Sequence, residues 1–470
     1  MRKFGFTKNV VAVMLATGLA TTAPAQEVQT KQYDDGGIYE GTFLDGKQHG
    51  TGTYRLPNGY EYSGEWVEGE IRGQGTAIFP NGSVYEGSFV AGKPEGQGRI
   101  TFADGGTYEG DWLDGNITGQ GVATYANGVT YEGEFRNAMH HGIGTMTSPG
   151  GYIYAGAWSN GAKEGEGKIT YPDGAVYEGT LASGERNGVG TLTMADGLIY
   201  EGQWRAGEIE GVGKLTQPNG DIYEGTLVDG RREGQGTATY ANGDTYVGAF
   251  ANDRRHGMGT FTGTDGYVYV GEWNEGLIAG EGEVTYPDGS VYVGSFANNL
   301  ANGIGKITYT NGSTYEGGWQ NGVINGTGIA TYENGLVYEG AFVNAQYQGQ
   351  GTMSHEDGYS YVGEWAEGQR NGSGIATYAD GTVYEGEFRD GQRNGQGSIT
   401  LPDGFTYVGS WQEGDIDGAG IATYANGDVY EGSFVDGRRE GQGTMTYATG
   451  GESVGTWSDG ALVSEGGAEN

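Results

Sequence analysis

The chain repeats itself every 23 residues. YEGTLVDGRREGQGTATYANG, from Tyr223 to Gly243, returns nine periods later as YEGSFVDGRREGQGTMTYATG, from Tyr430 to Gly450. A short fixed period overrides any domain count drawn from length, because each unit can bury its apolar face only against its neighbours. With tyrosine counted as position 0, the register starts at Tyr39 and recurs at Tyr62, Tyr85 and onward to Tyr430. It ends in a degenerate, capping nineteenth copy at Ser453, and no insertion or deletion interrupts it. Glycine holds position 2 from Gly41 to Gly455, and positions 11 and 13 from Gly50 and Gly52 to Gly441 and Gly443. Position 4 is Phe, Trp or Leu and takes all nine tryptophans.

Tyr-x-Gly-x-Trp/Phe has period two, so positions 0, 2 and 4 share one face of a strand; positions 13, 15 and 17 repeat the pattern in a second strand. Each repeat therefore reads as one β-hairpin. Between repeats, YPDGAV, FPNGSV and LPDGFT suit a three-residue loop with glycine in the left-handed position. That loop predicts Tyr177 between Ile169 and Leu192, and Gly225 between Gly213 and Gly236. The glycine rows then form a floor on which the rings of positions 0 and 4 lie flat, as structural aromatic rows that include Tyr177, Tyr200, Tyr223, Trp204, Trp273 and Trp319.

The other face carries threonine at position 16, Val, Ile or Thr before the tyrosine, and most often glutamate at position 1. Such residues favour strands and tolerate water. The fold class is all-β: an elongated, single-layer, twisted antiparallel sheet of tandem hairpins. Thirty-eight strands at about 4.8 Å give a ribbon on the order of 180 Å before twist.

The phrase YEGxFxxGxxxGxGxxxxxDG resembles the MORN (membrane occupation and recognition nexus) repeat, across Tyr39 to Gly460. The resemblance implies an extended sheet of hairpins used as a scaffold, sometimes linked to lipids or to self-association. Ala138, Asp253, Asn299 and Ala345 depart from the pattern by replacing the loop glycine at position 7, and valine replaces glutamate at position 1 in six copies.

Residues 1–25 read as a signal peptide. Arg2, Lys3 and Lys8 precede an apolar run from Val10 to Leu19, and Ala23-Pro24-Ala25 offers a cleavage site before Gln26. The expectation is a secreted or periplasmic protein of four parts: signal, a lead-in over 26–38, repeats over 39–460, and a tail over 461–470. Cleavage removes three basic residues and no acidic one, taking the formal charge from −36 to −39. A surface of that sign repels nucleic acid and leaves weak or no binding to anionic membranes.

Catalytic, cofactor and metal sites are not expected. His49, His141 and His256 recur at one position read as a solvated loop, His140 abuts His141, and His355 reads as a strand substitution. None has metal-ligand spacing. GDIDGAG at 414–420 lacks the distal glutamate of a calcium loop. The reading is a non-catalytic scaffold presenting an extended acidic surface to a protein or cell-envelope component; the alternative is an envelope glycan-binding protein that uses the aromatic rows. Val247, Val270 and Val293 at position 1, beside Val268 and Val291, form a candidate apolar stripe for a partner or for self-association. Val362, Val408 and Val454 are read as isolated.

Overall fold

The computed structural model describes residues 27–465, in two units divided between Ala195 and Asp196. Within each unit every strand pairs antiparallel with the next in the chain, and the described residues contain no helix. The repeat from Tyr177 shows the plan. A seven-residue strand, Val176–Ala182, leads through a two-residue turn into a nine-residue strand, Glu185–Thr193. Tyr177 lies opposite Ile169 on one side and Leu192 on the other, and Gly225 lies between Gly213 and Gly236, as the sequence predicts.

Both turns follow from their residues. In Tyr171-Pro172-Asp173-Gly174, the Gly174 N–H donates to the Tyr171 carbonyl at 3.0 Å, and Asp173 Oδ1 accepts the Ala175 N–H at 3.0 Å. The turn inside the hairpin has both central residues at positive φ, Ser183 at 52° and Gly184 at 90°, which matches the twist of the flanking strands. The Gly184 N–H reaches back to the Lys163 carbonyl of the preceding hairpin at 2.9 Å and extends the ladder to the sheet edge. Where glycine is missing, Ala138 and Ala345 still adopt φ of 59° and 62°. Asp253 and Asn299 do the same, and their carboxylate and amide oxygens accept the N–H of Arg232 and Ile278 at 2.9 and 2.7 Å.

The glycines of one repeat serve different purposes. A Cβ on Gly225 would lie 2.7 Å from the Cα of Gly236 and inside the Tyr223 ring, so positions 2 and 13 need bare backbone. Position 11 is a bulge: the register shifts between Gly225 and Leu227, and Gly234 takes φ 62°.

The core is one ring thick. Each position-0 tyrosine lies over its two glycines and is at most 3 % exposed, and its hydroxyl donates to the carbonyl of position 3, as Tyr223 does to Thr226 at 2.8 Å. The position-4 rings do not lie flat, contrary to the expectation. They stand edge-on against two tyrosines: Phe250 meets Tyr246 at 5.1 Å and 88°, and Trp273 meets Tyr246 at 5.3 Å and 83° and Tyr269 at 5.3 Å and 85°. The physical reason is that the tyrosines already occupy the glycine floor, and the ring quadrupole favours the edge-to-face arrangement, at about 0.5–1.5 kcal/mol per pair. The Trp273 indole N–H donates to the Gly259 carbonyl at 3.3 Å, tying one hairpin to the last. In the second unit this ladder runs unbroken from Tyr223 to Trp457. In the first unit it runs from Tyr39 to Tyr154, after which Leu181, 1 % exposed, takes the place of a ring.

The segments flanking the array do more than expected. Gln29–Gln32 pairs with Ile38–Leu44, and Ala461–Glu465 pairs with Glu452–Ser458. A free sheet edge offers backbone partners to even a short extended segment. The expected signal peptide lies outside the described residues.

Candidate interaction surface

The aromatic face is closed along its row of position-4 rings. Apart from Phe43 and Trp319, the position-4 side chains are at most 7 % exposed, so they give a sugar ring no platform. Position 9, to which the sequence analysis gave no role, supplies part of the cover. Arg255 stacks its guanidinium 4.0 Å from the Trp273 ring centre, Arg393 lies 4.4 Å from Trp411, and Arg439 lies 4.5 Å from Trp457. The Arg370 guanidinium also donates to the Gly391 carbonyl at 2.6 Å. His140 stacks on Tyr131 at 3.8 Å, Tyr347 stacks on Tyr338 at 3.8 Å, and Lys163 lies over Tyr152 at 4.5 Å. Trp319 follows a repeat whose position 9 is Ala301, too short to cover it, and is half-buried. The signal that could have located this cover is the recurrence of long side chains at a position facing the rings.

Burial shifts the titration of these groups. It pushes Tyr62, Tyr246 and Tyr407 up to about 12, and lowers the His140 imidazole and the Lys163 amine. His355 moves the other way, its imidazole raised above the ordinary value by Asp357 at 2.9 Å and by the Asn334 carbonyl at 2.8 Å.

The histidines thus correct the sequence reading. His49, His141 and His256 lie within strands rather than solvated loops, because the bulge at position 11 follows them inside the second strand. His355 lies in the turn after its strand. Asp415 and Asp417 sit on a strand, and no group of three or more potential metal ligands occurs among the described residues.

The opposite face is open, and its pairing rules alter the expected stripe. Position 1 lies opposite position 14 on both sides, so Val247, Val270 and Val293 are not neighbours. Thr260 separates the first two and Glu283 the last two. Val268 and Val291 are likewise separated by Thr285. The stripe is therefore interrupted, although all three position-1 valines are exposed. The reading of Val362 and Val408 as isolated is also corrected. Val362 pairs with Ile375 and Val408 with Ile421, and all four side chains are exposed. A shallow trough of about 590 Å³ on this face is lined by Ile304, Ile329, Val362, Glu316, Glu339 and the glycine backbone between them.

Hairpins of fixed length, tied by a one-ring-thick aromatic ladder and stacked on glycine, define a tandem β-hairpin repeat protein. The chain belongs to the MORN repeat family, whose model matches eighteen times, from 39–59 and 62–84 through 430–452; the copy at Ser453 lies beyond the last match. No curated protein matches the chain. Among solved structures it is similar to the SAS-4 (dCPAP) TCP domain of Drosophila melanogaster in complex with a proline-rich motif of Ana2 (dSTIL), at 15 % identity over 44 % of this chain and 99 % of that one, with a TM-score of 0.21. The TCP10 domain of Danio rerio CPAP matches at 15 % identity over 52 % and 93 %, TM-score 0.18. A streptogramin B lyase matches at 12 % identity over 62 % and 90 %, TM-score 0.11. Scores this low carry no conclusion about fold or function.

Proposed function

We propose that this MORN-repeat chain is a non-catalytic scaffold that works in the cell envelope or outside the cell and holds a partner protein along its open face. One observation carries the reading. The aromatic face is filled by its own rings and by position 9, whereas the other face leaves branched aliphatic side chains exposed beside carboxylates. Apolar exposure of that kind marks interaction surfaces. The test places a photo-crosslinking residue at Val408 and, separately, at the exposed loop position Asp436. Specific adducts in envelope extract from the first alone are expected; adducts from neither would refute the scaffold. Cell fractionation of the full chain tests the location, which rests on the basic, apolar and small-residue pattern of residues 1–25. With chelator present, flotation with anionic liposomes is expected to recover little protein, since a formal charge of −36 opposes the headgroups.

The glycan reading retains one foothold. A pocket of about 550 Å³ on the aromatic face is lined by the half-exposed Tyr309 and Tyr332 with Asn311 and Ser313. Saccharide binding lost in Tyr309→Ala and Tyr332→Ala, with partner capture retained, would favour it.

A further inference from the structure

Between Glu339 and Val454 the open face has a period of two hairpins, twice that of the backbone. Val362–Ile375 is followed by Glu385, then Val408–Ile421, then Glu431. Several of the position-1 glutamates before this stretch are neutralised across the strands. Glu178, Glu224 and Glu316 each face a lysine at 2.5, 3.7 and 3.2 Å, whereas Glu385 and Glu431 lie opposite Ser398 and Thr444 and make no ion pair among the described residues. Apolar pairs and unneutralised carboxylates therefore alternate every two strands, about 9.6 Å apart. The trough lined by Glu339 and Val362 opens onto one end of this row.

Charge and spacing together select an occupant. A second copy of the chain would bring carboxylate against carboxylate or bury Glu385 against Val408. A cationic chain running across the strands meets neither penalty, provided it offers an apolar and a basic side chain alternately at that spacing. A polyproline-II segment does so: three residues make one turn, about 9.3 Å long, and successive turns present their side chains on the same side. An α-helix would need seven residues, about 10.5 Å, and would drift out of register along the row.

We propose that the face from Glu339 to Val454 is a docking track for an extended, cationic segment of a partner protein, with apolar and basic residues alternating at every third position. This rests on the scaffold reading and names the site and chemistry of the partner.

The test titrates the mature chain into a labelled peptide of repeated Leu-Pro-Pro-Arg-Pro-Pro units and follows fluorescence anisotropy at low and raised salt. Saturable binding that weakens with salt is expected. Val362→Glu with Val408→Glu, and separately Glu385→Gln with Glu431→Gln, should each weaken it by about tenfold or more, with melting unchanged. An isomer with leucine and arginine adjacent should bind less well. Absence of saturable binding, wild-type affinity in either double variant, or preference for a helical peptide of the same composition would overturn the track. So would a dimer in sedimentation that the same variants abolish, which would assign the face to a second copy. If a chain with the photo-crosslinking residue at the exposed Ile421 captures envelope proteins equally well with and without Val362→Glu and Val408→Glu, the scaffold stands and the track fails.

Discussion

The guanidinium of Arg255 in one hairpin sits 4.0 Å from the ring centre of Trp273 in the next, and also donates to the Gly276 carbonyl at 3.3 Å. Its neighbour Arg254 points outward to Glu275 at 3.3 Å, with both side chains more than half exposed. Arg255→Ala should therefore cost about 1–2 kcal/mol through lost ring cover, against about 0.5 kcal/mol or less for Arg254→Ala. Urea unfolding followed by tryptophan fluorescence compares them. Equal losses would mean that charge rather than stacking matters at position 9.

Gly225 and Glu224 are adjacent in the chain and face opposite ways. Gly225→Ala drives a methyl into the Tyr223 ring and toward the Gly236 backbone, for an expected loss of about 3 kcal/mol or more. Glu224→Val changes only an exposed site paired with Lys214 and should stay within about 1 kcal/mol. Thermal melts of the two variants settle the assignment of faces.

Ala138 and Ala345 occupy left-handed conformations at φ 59° and 62° without the side-chain hydrogen bonds that support Asp253 and Asn299. Ala138→Gly and Ala345→Gly should each stabilise the fold by about 1 kcal/mol, whereas Asn299→Gly should gain less because it removes the bond to Ile278. Differential denaturation midpoints check the order.

Burial holds Tyr62, Tyr246 and Tyr407 protonated up to about 12, above the ordinary value near 10. A raised folded value means that the stability is fully present below about pH 10 and is lost as the pH climbs toward 12. The phenolate absorbance of the buried position-0 tyrosines and the circular dichroism should change together in one steep alkaline transition. Complete phenolate absorbance near pH 10, position-0 rings included, in a still-folded chain would contradict the closed core.

The backbone plan was legible because it is written in glycine. An invariant Gly at position 2, beside Tyr and two residues before an aromatic, leaves little choice of face, and the pairing of Gly225 with Gly213 and Gly236 follows from period-two strands and a three-residue loop. The side-chain arrangement was less legible for a specific reason. Which residue of the second strand lies beside Val247 or Val362 depends on cross-strand register, which position 1 alone does not reveal. Thr260 and Glu283, which interrupt one row, and Ile375 and Ile421, which complete another, all stand at position 14 of the partner strand. Position 9 was overlooked because arginine reads as a solvent residue, although its aliphatic stem and planar head suit the cover of a ring.

The two-hairpin alternation bears on how such an array can change in length. From Phe296 to Trp457 phenylalanine and tryptophan alternate strictly at position 4, and from Glu339 the acidic and aliphatic sites of the open face keep the same beat. Losing one 23-residue unit here would preserve every backbone hydrogen-bonding partner yet set two tryptophans, or two phenylalanines, in adjacent rungs and two like sites side by side outside. Losing two units would keep both alternations in step. The hairpin is thus the quantum of folding, while the pair of hairpins is the quantum by which this part of the gene can grow or shrink unnoticed.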